Sequence, residues 1–303
     1  MVKFFARRLF ALAAVVVMVT VVTWICIHAL RPEAFAYDQR STLAQLWDYL
    51  TSAFLHFELG NSWENNQPPV AGMLREGIPA DLWLLAGGMA FGLLVGLSAG
   101  AYVGSRPRAP LARATESVSM MFLCAPVYVV GLSMLLLFGT GIAVTGIGFI
   151  PVKYVPFAES PLRWLGSMIV PWIVVGLPLA AVCERMMNSS MREVLHEEFV
   201  RTALSKGISN RRMLRKHAVP AAAAPVLTLA GVSVPVMVTN MVLVELTFSI
   251  PGVFQSFRSS MDNEDYPVIM GIVIAAAVLV ALGSLLVDLA LAWLDPKIRT
   301  SGA

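Results

Sequence analysis

Residues 268–294 read VIMGIVIAAAVLVALGSLLVDLALAWL, and Asp288 is the one charged side chain among them. An α-helix rises about 1.5 Å per residue, and the hydrocarbon core of a bilayer is roughly 30 Å thick. About 20 consecutive apolar residues therefore cross a membrane as a helix, whereas a helix on the surface of a soluble protein is apolar on one face only. The stretch predicts a transmembrane helix, and it decides the fold class of the chain.

Five further stretches are also apolar and about 20 residues long, and they lie at 9–30, 82–103, 118–138, 165–183 and 226–248. The composition agrees, because 57% of the residues are hydrophobic and 14% are charged, whereas soluble domains carry about 25% charged residues. The short alternating segments of a membrane β-barrel are not seen. We predict an all-α integral membrane protein with six transmembrane helices.

Small residues in the second span predict a close helix contact. Its glycines fall largely at four-residue spacing, which places them on one face of a helix: Gly87, Gly88, Gly92, Gly96 and Gly100. Such a stripe lets a neighbouring helix approach closely in a membrane. The pattern indicates packing and carries no information about a substrate.

The distribution of basic residues predicts the orientation in the membrane. Six spans leave both termini on one side, and with the N-terminus inside, 16 of the 22 lysines and arginines lie in cytoplasmic segments. Basic residues are enriched on the cytoplasmic side of membrane proteins. We therefore expect cytoplasmic N- and C-termini. We also expect the first span to be retained, because 22 apolar residues exceed the roughly 7–15 of a signal peptide.

Two loops are longer than simple connectors require, and they divide the chain. Residues 1–81 hold the first span and an outer loop, in which apolar residues at helical spacing predict a short amphipathic helix: Leu43, Leu46, Trp47, Leu50, Phe54 and Phe57. Either this helix covers the outer end of the bundle or it docks an external partner. Residues 82–303 hold the other five spans and a cytoplasmic loop, 184–225, with eight basic residues.

Several classes of site are not indicated. The net charge of +3 does not indicate a protein that binds nucleic acid. No GxxxxGK[ST] phosphate-binding loop is present in the sequence. The three cysteines, Cys26, Cys124 and Cys183, all lie in apolar segments, and the four histidines are far apart. We therefore predict no disulfide framework, no metal site and no cofactor bound by this chain.

The cytoplasmic loop carries the most specific motif. Residues 198–207 read EFVRTALSKG, and RRMLRKHA follows at 211–218. This resembles the coupling loop of binding-protein-dependent ABC importer permeases, in the dipeptide/oligopeptide branch, whose form is (Y/F)-V-R-T-A-x-x-K-G. Here Arg201-Thr202-Ala203 take the place of the E-A-A of the general permease pattern.

The resemblance extends along most of the chain. Matching stretches stand in the branch's order, as LGNS at 59–62, IPA at 78–80, KYVP at 153–156, ELTFSIPG at 245–252, DYP at 265–267 and DPKIR at 295–299. There are two departures. LRPE at 30–33 lacks the P-G-D-P that often stands there, and Pro220-Ala221 replace the branch's usual Arg-Asn.

The resemblance implies a type I ABC importer permease architecture in a bacterial inner membrane, with 82–303 as the permease core domain. It implies a multi-pass subunit, surrounded by lipid, that forms half of a translocation pathway for peptides or similar small solutes. The expected partners are a second homologous permease in a heterodimer, two ABC ATPase subunits and an extracytoplasmic substrate-binding protein. The chain itself would be no enzyme, since ATP and Mg²⁺ bind in the partner subunits.

The resemblance also implies which residues couple the chain to the ATPases: Glu198, Phe199, Arg201, Thr202, Ala203, Lys206 and Gly207. A short stiff helix seated in a groove of an ATPase moves with it as a rigid body. Thr202 and Ala203 supply small contacts, Gly207 can take a positive φ, and Arg201 and Lys206 can pair with acids. The basic residues at 211–216 either join that contact or follow the charge rule alone.

Two carboxylates lie within predicted spans, where an ionisable group is a functional hypothesis by default. By resemblance, Glu245 lies at the outer gate of the translocation path with Phe248, Pro251 and Gly252; alternatively it bonds to neighbouring backbone or reaches the membrane interface. Asp288 is expected to be a structural charge that pairs with a cytoplasmic arginine.

The main alternative is a stand-alone secondary transporter. That class favours paired intramembrane charges, broken helices in corresponding halves and internal repeats, and the sequence has no convincing repeat. A membrane-embedded enzyme would need clustered histidines, acids or a nucleophile at membrane depth, and no such cluster is present.

Overall fold

The structure is a computed structural model, and it describes residues 2–32, 40–64 and 68–294. Within these ranges the regular elements are helices, in the order α1 (Val2–Leu30), α2 (Thr42–Thr51), α3 (Val70–Ser105), α4 (Pro110–Cys124), α5 (Val127–Phe138), α6 (Pro161–Leu195), α7 (Glu198–Ser205), α8 (Asn210–Met213), α9 (Val219–Phe248), α10 (Phe257–Asp262) and α11 (Tyr266–Leu294). The DPKIR stretch at 295–299 lies outside the described residues.

The prediction of an all-α membrane protein is confirmed. Among the described residues, five helical stretches are long and apolar enough to cross a membrane. They lie in α1, in α3, in α6, in the run from α8 to α9, and in α11. The helix expected between residues 42 and 57 is present as α2, which continues as a π-helical turn over Ser52–His56.

The continuous third span predicted at 118–138 is wrong. The chain forms two helices there, α4 and α5, which meet at an angle of 107°, so that the sixth span exists only if the bent pair is counted as one. Ala125 is extended, with φ −75° and ψ 130°, and Pro126 follows it. Proline disfavours the helical conformation of the residue before it. It also has no N–H to donate to the carbonyl four residues earlier, which is that of Phe122.

The helices extend beyond the apolar stretches that predicted them. α3 begins at Val70 and not near residue 82, and α6 continues to Leu195 past the apolar end at 183. The Ser160 hydroxyl starts α6 by accepting the backbone N–H of Arg163 at 3.4 Å. Hydropathy marks only the part of a helix that faces lipid or the core, so polar helical ends escape it.

One compact unit contains residues up to 82 together with 249–282. In it the buried carboxylate of Asp265 accepts hydrogen bonds from the Ser62 hydroxyl and, at 3.4 Å, from the backbone N–H of Val268 in the first turn of α11. Arg31 forms an ion pair with Glu264. The start of α11 is thus joined through Glu264 to the end of α1, and through Asp265 to the loop around Ser62. The domain boundary predicted at 81–82 stays a prediction.

The second compact unit contains residues 83–248 and 283 onwards. In this unit α3 and α6 approach closely along the predicted glycine stripe. A Cβ added at Gly96 would lie 2.7 Å from the carbonyl oxygen of Ala180, and one at Gly100 would lie 2.5 Å from that of Glu184. The stripe continues to Gly104, which faces Met191. Only glycine permits this separation of the two helices.

Candidate functional site

The predicted coupling residues form a single short helix with its cap. α7 spans Glu198–Ser205, and in it Val200 is buried and Ala203 half-buried. These two residues are three positions apart and therefore lie on one face of the helix. The other face is exposed and carries Glu198, Arg201, Thr202 and Ser205, with Lys206 exposed at the cap.

Gly207 ends α7 with a Schellman motif. Its φ is +79°, its N–H donates to the Leu204 carbonyl at 3.0 Å, and the N–H of Ile208 donates to the Ala203 carbonyl at 3.3 Å. This pair of bonds satisfies carbonyls that the end of a helix leaves without partners. A Cβ at Gly207 would meet no atom within 4 Å, so glycine is needed here for its backbone conformation and not for space.

Two large apolar side chains border the exposed face of α7. Phe199 is 43% exposed and Leu204 is 44% exposed, and α7 is in contact with α8. Apolar side chains grouped with charges on an exposed helix are typical of a contact surface for another protein. The geometry therefore suits the coupling role, which stays a prediction for each residue.

The basic residues after α7 are exposed as well. Arg211, Arg212, Arg215 and Lys216 lie on α8 and on the π-helical turn Leu214–Ala218 that leads into α9, where they line a shallow open depression with Ser209. Their exposure fits both alternatives from the sequence, a contact with a partner or the charge rule alone.

The residues predicted for the gate divide between the two compact units. Glu245 and Phe248 are buried in α9, and Phe248 packs on α5, where a Cβ at Gly131 would lie 3.2 Å from its ring. Pro251 and Gly252 belong to the other unit, with Pro251 exposed and Gly252 half-buried. A gate that contains all four residues stays a prediction.

Sequence reasoning missed Asp81, which holds the segment that follows Gly252. Asp81 is fully buried in α3, and its Oδ2 accepts the backbone N–H of Val253 at 3.0 Å. Beside it a Cβ at Gly77 would lie 2.7 Å from the Val253 nitrogen. Asp81 directly follows the IPA stretch and directly precedes the predicted span. In the sequence, this position is equally typical of a polar residue that faces water at the end of a membrane span.

Asp81→Leu is expected to destabilise the folded chain by about 1–3 kcal/mol, because it leaves the buried N–H of Val253 without its acceptor. Asp81→Asn keeps an oxygen acceptor at the same place and should cost less. The measurement is the thermal unfolding temperature of the purified protein in one detergent. Equal unfolding temperatures for the two variants would contradict this assignment.

Asp288 lies half-buried in α11. This fits a structural charge, while its pairing with an arginine stays a prediction. Among the described residues, no group of three or more histidines, cysteines or acids is arranged to hold a metal ion.

A polar cluster between α4 and α6 was also missed. The Glu116 carboxylate accepts hydrogen bonds from the Asn188 amide at 2.7 Å and from the Arg192 guanidinium at 3.2 Å, and Arg192 also donates to Asn188 at 2.9 Å. Glu184, two turns before Arg192 on α6, is only 1% exposed. The sequence places Glu116 before one predicted span and Glu184 after another, so that nothing in it pairs them.

A cavity of about 570 Å³ lies in the first compact unit, among α1, α2 and the start of α11. Trp24, Tyr49, Trp63 and Tyr266 contribute aromatic rings to it. Burial raises the pKa of the Tyr49 phenol above its ordinary value, so this side chain is neutral at physiological pH. The cavity adjoins the helix α2 that the sequence assigns either to the bundle or to an external partner.

Comparison with known proteins shows which family this chain resembles. A family model described as "Binding-protein-dependent transport system inner membrane component" matches residues 92–300, which include α4 to α9 and the whole of α7. A relative from Sinorhizobium fredii, named "Probable peptide ABC transporter permease protein", is 32% identical over 76% of this chain and 72% of its own length. The dipeptide transport system permease protein DppB of Bacillus subtilis is 27% identical over 99% of this chain and 98% of its own length.

Proposed function

The chain belongs to the family of inner-membrane components of binding-protein-dependent transport systems, and from that premise we propose that it forms half of a peptide pathway. It is a permease subunit of an ABC importer, a multi-pass protein of the bacterial inner membrane, and not a stand-alone transporter. Peptides are the proposed solutes because the relatives that match most of the chain are named as peptide or dipeptide permeases.

The observation that carries the proposal is the exposed helix α7 with its glycine cap. A permease that binds no nucleotide needs a surface through which an ATPase moves it. α7 offers exposed charges, small side chains and two apolar borders on a rigid short helix. We propose that the surface formed by Glu198, Phe199, Arg201, Thr202, Ala203, Lys206 and Gly207 seats in a groove of an ABC ATPase.

The proposed assembly contains a second homologous permease, two ATPase subunits and an extracytoplasmic substrate-binding protein. ATP and Mg²⁺ would bind in the ATPases, and this chain would hold no cofactor. The cytoplasmic termini expected from the basic residues put α7 on the ATPase side of the membrane. ATP-driven closure of the ATPases would then move α7 as a rigid body and switch the pathway between its two open sides.

Affinity purification of the tagged chain from its native membrane tests this proposal. We expect a second six-span permease and two subunits with phosphate-binding loops to co-purify, with ATPase activity in the same fraction. A chain that purifies alone, reproducibly in several mild detergents, would contradict the proposal.

Thr202→Arg sharpens that test. Thr202 is exposed on α7, so a large cation there leaves the fold intact but prevents close seating on a partner. We expect the variant to keep the second permease and to lose the ATPase subunits. Thr202→Ser is the matched control and should keep both. Retention of the ATPases by Thr202→Arg would show that they dock elsewhere.

A further inference from the structure

The groove between α4 and α6 is built from matching faces of the two helices. α4 contributes Glu116, Ser117, Met120, Met121 and Cys124, and α6 contributes Glu184, Arg185, Asn188, Ser189 and Arg192. Each set follows the spacing i, i+1, i+4, i+5, i+8, which is one face of a helix over about two turns. The groove encloses about 1020 Å³, at the upper end of the size of small-molecule sites, roughly 300–1,000 Å³.

The two helices run antiparallel along the groove, which separates its charges. At one end Glu116 is bonded to Arg192 and Asn188. Further along, a guanidinium nitrogen of Arg185 lies 3.9 Å from the sulfur of Met120. Glu116 and Arg192 are therefore paired with each other, although both side chains stay partly exposed.

Glu184 and Arg185 have weaker partners. Glu184 is 1% exposed, and its polar contact on α4 is the neutral Ser119 hydroxyl. Arg185 is exposed, and its contact is with the Met120 thioether, which is a weak acceptor. A carboxylate accepts several hydrogen bonds and one hydroxyl uses only part of that capacity, so a ligand that brings an ammonium group to Glu184 binds favourably.

The broken end of α4 adds a second attraction for a cation. α4 stops at Cys124 because Pro126 cannot continue it, and Ala125 lines the groove. The end of a helix carries a partial negative charge from carbonyls that have no N–H partner. Interrupted membrane helices use such ends to hold cations.

We propose that this groove is a subsite for a zwitterionic solute, with Glu184 binding its ammonium group and Arg185 binding its carboxylate. Adjacent residues on a helix point in directions about 100° apart, so Glu184 and Arg185 present opposite charges at two different places on the lining of the groove. A dipeptide with free termini carries this pair of charges. The proposal rests on the proposed function, because it gives the peptide a place within this subunit.

Cys124 supplies a reporter of occupancy, since it is exposed and lines the groove. Cys26 is also exposed, whereas Cys183 is buried, so a Cys26→Ser background leaves Cys124 as the reactive thiol among the three. The assembled importer in detergent is labelled with a maleimide in the presence of Ala-Ala, N-acetyl-Ala-Ala or Ala-Ala-amide. The measured quantity is the concentration of each peptide that halves the labelling rate of Cys124.

We expect Ala-Ala to protect Cys124 at about tenfold lower concentration than either capped peptide, since each cap removes one charge-assisted contact. In Glu184→Gln, Ala-Ala should protect no better than N-acetyl-Ala-Ala. In Arg185→Gln, it should protect no better than Ala-Ala-amide. Glu193→Gln is the matched control, because Glu193 is exposed on the same helix and does not line the groove; it should behave as the wild type.

Three results would overturn the subsite. They are equal protection by the free and capped peptides, protection by potassium chloride at the same concentration, and a Cys124 that does not label in the assembled importer. ATPase content and activity are measured on the same preparation. A sample that lacks the ATPases refutes the proposed function, whereas an active assembly with cap-insensitive labelling refutes the subsite alone.

Discussion

Gly207→Pro is expected to abolish ATP-driven uptake while the protein still folds and inserts. Proline fixes φ near −65°, whereas Gly207 has φ +79°, and proline also removes the N–H that bonds to the Leu204 carbonyl. The end of α7 must then unwind, and the surface proposed to seat in the ATPase loses its rigid cap. Because a Cβ at Gly207 meets no atom within 4 Å, the damage stays in this loop.

A series at this position separates backbone conformation from side-chain size. Gly207→Asn should retain most uptake, since asparagine tolerates the left-handed region. Gly207→Ala should lie between the two, with about 1–2 kcal/mol of conformational strain. Uptake is measured in whole cells beside the amount of protein in the membrane. Wild-type uptake in Gly207→Pro would disprove the coupling role of α7.

Gly100→Leu is expected to prevent assembly of the membrane bundle. A Cβ at Gly100 would lie 2.5 Å from the Glu184 carbonyl oxygen and 2.6 Å from the Cβ of Met187. Backbone atoms of α6 cannot rotate away as a side chain can, so the two helices must separate along their whole contact. Overpacking of a core costs about 1–3 kcal/mol, occasionally more, and we expect this site at the upper end or beyond.

The readout for Gly100→Leu is the fraction of membrane-extracted protein that elutes as a single symmetric species. Gly166→Ala is the matched control, because Gly166 lies in α6 and a Cβ there meets no atom within 4 Å. Alanine stabilises a helix interior by about 0.5–1 kcal/mol relative to glycine, so this control should be neutral or stabilising. Normal elution of Gly100→Leu would mean that α3 and α6 do not rely on this contact.

The features predicted well are those in which local chemistry dominates. α7 begins at Glu198 as its motif indicated, and the helix ends before Gly207, whose freedom at positive φ ends it without help from distant residues. The glycine stripe also predicted that another helix approaches α3 closely, because small residues at four-residue spacing form one face that lets two helix backbones come together. The apolar stretches predicted membrane helices for the same reason.

The break at Pro126 was beyond sequence reasoning. Pro79, Pro171, Pro178, Pro225 and Pro235 all lie inside continuous helices, so proline alone does not decide whether a membrane helix bends. The outcome depends on whether neighbouring helices satisfy the freed backbone groups and fill the space beside the ring. That information belongs to the packed bundle.

The sequence by itself determined the fold class, the family and the short helix that ends before Gly207, because these follow from hydropathy, motif spacing and one backbone conformation that glycine favours. Only the tertiary structure decided where the third span breaks and that Asp81 bonds to the backbone of Val253. It alone also placed Glu116 beside Arg192 and buried Glu184 in the same groove. These contacts join residues far apart in the chain, and burial and pairing at such distances depend on how the helices pack.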